Sequence, residues 1–240
     1  LAKDWTATDE SRTFTFSLRE GVKWSDGSSF TADDVLFWYE DIILNEELTP
    51  VAPSWLVRGG EPAKVEKLDD YTIRFTFKEP YGTFLYFLAN NHINHAPEHY
   101  MKQFHAKYTP EEELTPLAKE AGFDFWYQLF ADKNDPWLNP ERPTLYAWKI
   151  VNRLGVGTRV TFERNPYYWK VDVAGNQLPY IDRQAIDIVE NEEILLMRAL
   201  SGEVDMQYRH IGEVMANYPL LAENREKGGY RVMMWKLLFQ

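Results

Sequence analysis

The stretch 19-REGVKWSDGSSFTADDVLFWYEDI-42 packs a strand end, a tight corner and a helix start into two dozen residues. Ser25-Asp26-Gly27 has turn composition, with Gly free to take positive φ and Asp able to bond the backbone two residues on. Thr31 is a helix N-cap, and Asp34 stands three residues later in the reciprocal capping position. From there Val35, Trp38, Tyr39 and Ile42 recur at helical spacing and form one apolar stripe, so this aromatic cluster is first a core-facing helix. A nucleophile elbow would need glycine on both sides of Ser25, which this corner lacks.

Strands flank that helix. Apolar residues alternate in 13-TFTFSL-18 and 71-YTIRFTF-77, the period of strands with one buried face, and the two are expected to share a sheet. After Pro80, residues 81–90 read as a short helix, and 98–140 as helices broken by Pro110, Pro116 and Pro136. The run 136-PWLNPERP-143 is the best boundary candidate, giving 1–142 as one domain and 143–240 as part of another. Beyond it come strand signals at 159–164 and 185–190, a helix at 191–200 and a strand at 203–208. A helix near 211–226 and a strand at 230–239 complete the rhythm of a parallel α/β layer. The fold class is therefore α/β in the mixed α+β sense.

Composition narrows the function. The 240 residues carry a formal charge of −11 with no run of four basic residues, which argues against nucleic acid, whose binders cluster Lys and Arg. The chain has no cysteine, which excludes disulfides, thiol catalysis and Cys-ligated zinc. No apolar run approaches the roughly 20 residues of a membrane helix. His92, His95, His99 and His105 have spacings that suit a metal, but Pro97 interrupts the helix they would need, so loop histidines are expected and no metal. Gly155 and Gly157 lack both the third glycine and the following helix of a phosphate cradle. The pairs Asp33/Asp34, Asp69/Asp70 and Glu192/Glu193 read as solvated helix starts and turns rather than as catalytic carboxylates. No enzyme constellation and no cofactor site emerges. The 37 aromatic residues (nine Trp, 14 Tyr, 14 Phe) suit a core and also a binding cleft.

Five phrases in order, 1-LAKDW-5, 14-FTFSLREGVKWSDGSSFTADDV-35, 65-VEKLDDYTIRFTFKEP-80, 164-RNPYYW-169 and 199-ALSGEVDM-206, resemble the family 5 solute-binding proteins of bacterial ABC importers. The resemblance implies a class II periplasmic-binding-protein fold: a first lobe with an inserted extra domain, which contains the Trp24 corner. The second lobe would follow Gln240, and a secretion signal would precede Leu1. It also implies a monomeric, periplasmic or surface-anchored lipoprotein. That protein would capture oligopeptides or short oligosaccharides and deliver them to a membrane permease. Alternatives are a periplasmic sensor or chaperone-like binder and, behind them, a glycoside hydrolase. The expected ligand contacts are Arg209 and His210, with Tyr208, at the C-terminal end of the 203–208 strand, where open α/β sheets bind ligands. Trp55, in a loop of the extra domain, is the weaker candidate. Two departures from the family pattern, 143-PTLYAWKIVNRLGVGTRV-160 and the hairpin 170-KVDVAGNQLPYIDR-183, leave the ligand class open.

Overall fold

The computed structural model describes residues 1–90 and 95–234. It divides into two compact units, Leu1–Ala185 and Ile186–Gln240.

The first unit is built on an antiparallel four-stranded sheet. Its strands are β1 (Ala2–Thr8), β2 (Thr13–Leu18), β5 (Lys64–Asp69) and β6 (Thr72–Thr76), in the order β1-β2-β6-β5. A small ladder of β3 (Val57–Arg58) and β4 (Glu61–Pro62) lies between them in sequence. As expected, β2 and β6 pair, with Phe14 opposite Phe75 and Phe16 opposite Ile73. Their alternate side chains form a buried face that continues through Leu18 and, on β5, Val65. In contrast, β1 is exposed along all seven residues.

Helix α1 (Ala32–Phe37) starts where the capping box places it. The Asp33 N–H bonds the Thr31 hydroxyl at 3.3 Å, and the Asp34 carboxylate accepts the Thr31 N–H at 2.9 Å. The helix then widens into a π-helical turn, Trp38–Ile43, which keeps Trp38 and Tyr39 buried. Tyr39 donates its hydroxyl to the Ala63 carbonyl. Helix α2 (Phe84–Asn90) buries only Phe84, whose ring lies 4.7 Å from Phe77, 4.9 Å from Phe14 and 5.5 Å from Phe75. That ring is the hub of the core.

Helices α3 (Glu98–Met101), α4 (Glu111–Glu120) and α5 (Trp126–Asn134) occupy the region expected to be helical. After the proline-rich segment, β7 (Trp148–Ile150) pairs antiparallel with β8 (Arg159–Arg164), and β9 (Arg183–Asp187) is the third strand of that sheet.

The second unit contains α6 (Glu192–Leu200) and α7 (Tyr218–Gly228). The mixed α and β architecture holds, but the parallel layer expected after residue 185 does not. Residues 203–208 form no strand and are almost wholly exposed. Their alternation of Val204, Met206 and Tyr208 therefore has no ladder to join. Residues 230–234 form no strand either, and the rest of the expected 230–239 strand lies outside the described residues. No described helix is long and apolar enough to cross a membrane.

Candidate ligand-binding surface

In the second unit the Asn191 side chain caps α6 by accepting the Ile194 N–H at 2.9 Å. Glu192 and Glu193 fill the first turn, where the helix dipole favours negative charge. The helix ends at Gly202, with φ +79; a Cβ there would stand 2.1 Å from the Gly228 carbonyl oxygen. Two glycines thus let the ends of α6 and α7 touch. The chain next turns at Arg209, whose backbone is extended, into a single 3-10 turn, His210–Gly212. His210 adopts φ +56, a left-handed conformation uncommon for a residue with a side chain. Ile211 is buried beneath this turn, and its carbonyl accepts the Asn217 amide at 3.1 Å. The outward-facing result is Tyr208, Arg209 and His210, all exposed, with His210 Nδ1 3.2 Å from the Glu192 carboxylate.

Beside them an open groove of about 490 Å3 runs along α6, lined by Asn191, Ile194, Met197, Arg198, Ser201 and Glu203. Arg198 bridges its floor, reaching Asp187 at 2.9 Å and Glu203 at 3.9 Å. Tyr208, Arg209 and His210 are consecutive, so the chain itself keeps them together, while the structure removes the strand end that was to present them. In its place stands a short turn pinned by one buried isoleucine. Sequence reasoning read Glu192 only as a solvated helix start, because the 17 residues between it and His210 carry no readable pairing signal.

Trp55 belongs to the first unit. Its ring is stacked 6.2 Å from Trp38 and 6.4 Å from Phe84, with interplanar angles of 21° and 20°. Half-buried in a one-turn helix, Ser54–Leu56, it gives much of its surface to the core.

The corner at Trp24 is a junction of distant segments. Ser25 donates its N–H to the Thr144 carbonyl and accepts the Thr144 N–H on its hydroxyl, each at 3.0 Å. Asp34 receives the Trp24 indole at 3.2 Å and the Glu98 N–H at 3.1 Å, besides its capping bond. Burial pushes its carboxyl up to about 6, against the pull of those donors. Burial also opposes ionisation of Asp26, but the Ser28 N–H and His99, at 2.7 Å, hold it below its ordinary value.

The histidines separate into different duties. His99 pairs with Asp26. His95 lies 5.6 Å from the Trp24 ring and 5.7 Å from Phe30, and burial, helped by the charge of Arg142, pushes it down to about 3. His105 is buried against Trp126 and Phe130, with Nε2 2.9 Å from the Asp41 carbonyl. His92 lies outside the described residues. Among those described, no group of three metal-ligating side chains is placed to hold an ion.

The architecture is that of a periplasmic binding protein: a solved oligopeptide-binding protein OppA superposes with a TM-score of 0.92 and 48% identity over 98% of this chain. The chain belongs to the bacterial extracellular solute-binding proteins, family 5, whose middle-region model matches residues 1–235. It covers 37% of that OppA chain, and about a quarter to a third of the curated relatives it matches over most of its length. The periplasmic alpha-galactoside-binding protein of Rhizobium meliloti (strain 1021) is 36% identical over 183 residues, 76% of this chain and 24% of that protein. The periplasmic binding protein MelB of Agrobacterium fabrum C58, solved in complex with stachyose, matches with a TM-score of 0.72. It is 30% identical, over 93% of this chain and 31% of its own.

Proposed function

We propose that this chain is part of the solute-capturing component of an ABC importer, working outside the cytoplasm as a monomer. It holds an oligopeptide or short oligosaccharide between two lobes and hands it unchanged to a membrane permease. The observation that carries this reading is the family match across residues 1–235, together with the 48% identity to a solved OppA. The α-galactoside-binding relative and the stachyose complex keep oligosaccharides beside peptides as the ligand class. Residues 1–142 would hold most of the extra domain, and 143–240 part of the first ligand-binding lobe.

In this reading Arg209 and His210 supply fixed hydrogen-bond donors and Tyr208 supplies a ring face for sugar or peptide; Trp55, in the first unit, is proposed by itself as a further aromatic contact. Affinity comes from excluding water around a few satisfied polar groups, and lobe closure reports the loaded state. The decisive measurement is a thermal-shift titration of the complete secreted protein with peptide and α-galactoside pools, since a ligand that binds only the native state raises Tm. One pool is expected to raise Tm, and Arg209→Ala to weaken the responsible ligand by about tenfold or more. Silence from both pools would sink the transport reading.

A further inference from the structure

Arg142 is 9% exposed, and no carboxylate lies within ion-pair distance of it among the described residues. Its Nε bonds the Asn134 side-chain oxygen at 3.0 Å and its Nη1 bonds the Pro143 carbonyl at 3.1 Å. Among the described residues those two bonds use less than half of a guanidinium's donors. The nearby acids are already engaged. Asp135 accepts the Trp137 N–H at 2.7 Å, Asp26 holds His99, and Asp34 takes three donors. The residues outside the description contain no Asp or Glu. Asp135 attracts the guanidinium only from beyond ion-pair distance, and a buried cation without a close counter-charge is costly.

A cavity of about 10 Å3 lies against this guanidinium, bounded also by Trp24, His95, Pro136, Thr144 and Tyr146. That is room for a single atom of water or halide size. The Thr144 hydroxyl accepts the Tyr146 N–H at 3.1 Å, which leaves its own proton to point elsewhere. Burial and the Arg142 charge together keep His95 neutral, so the imidazole adds no second cation. Among the described residues the lining therefore combines one positive charge, a hydroxyl donor and the Trp24 and Tyr146 side chains, with no side-chain carboxylate.

We propose that this cavity binds one small monovalent anion, chloride by size, as the counter-ion of Arg142. The site joins the Trp24 corner to the 136–146 segment, and its occupancy tightens that joint. At fixed ionic strength, replacing gluconate with about 150 mM chloride should raise the Tm of the 240-residue chain by about 4 °C. Arg142→Met should abolish that difference. Bromide-soaked wild-type crystals should show an anomalous peak within about 3.3 Å of the guanidinium; this arm decides the question if the variant does not fold. Equal melting in chloride and gluconate would overturn the proposal. So would a chloride effect that survives Arg142→Met, or a bromide map with only water beside Arg142.

Discussion

The two units differ in how they use apolar surface. In the first, the rings of Phe14, Phe16 and Phe75 from paired strands, with Phe77, Tyr81 and Trp55, close around Phe84, and the buried set includes Trp24, Phe30 and Leu56 at 1% exposure or less. In the second, Ile211 is the one buried residue among those described, while Met197, Met206 and Met215 stand about two-thirds exposed. The first unit therefore contains its own driving force for folding. The second is held by caps, a glycine joint and ion pairs, each worth far less than a buried ring.

The sharpest way to break this contrast is truncation in both units. Phe84→Ala should cost about 3–5 kcal/mol in urea unfolding, whereas Met197→Ala should stay within about 0.5 kcal/mol. Comparable losses would mean that the second unit has a packed core after all.

A second test uses two groups of the Trp24 corner, buried Asp34 and half-buried His95, whose titrations oppose each other. Asp34, raised to about 6, binds a proton more readily folded than unfolded, so its contribution to stability is present below its ordinary range and is lost as pH rises towards 6. His95, lowered to about 3, stays neutral when folded, so its contribution is present above its ordinary range and is lost as pH falls towards 3. Between about pH 4 and 6 the two slopes nearly cancel in the wild type. Denaturant melts of Asp34→Asn should show stability rising with pH across that window, and His95→Gln should show it falling. Each slope should approach about 1 kcal/mol per pH unit.

The smallest expected effect concerns the second unit alone. Asn191→Ala removes the α6 cap and should lower local stability by about 1 kcal/mol, read as faster amide exchange at Ile194 and Leu195 with the first unit's core unchanged.

What could be read from the sequence follows the same division. The β2 and β6 strands were legible because one face of each is buried, so alternation of Phe with Thr or Ser reports geometry directly. The Thr31–Asp34 capping box was legible because it is local. Strand β1 was not, since a fully exposed edge imposes no pattern on 2-AKDWTAT-8. The alternation in 203-EVDMQY-208 misled for the opposite reason: a period of two marks a strand only where a partner exists, and the described structure provides none. Histidine spacing carried no information, because His95, His99 and His105 each answer to a different neighbour. Arg142 was invisible as a site, since no sequence pattern reveals that a buried cation lacks a carboxylate.

The reciprocal Ser25–Thr144 clasp spans 119 residues of chain. A polypeptide made from its N-terminus must therefore emit its corner long before the strap that fastens it, and during that interval Trp24 has no lid. Any arrest of synthesis short of Thr144 would leave Ser25 without both backbone partners of this clasp, so the corner can close only after residue 144 has been made.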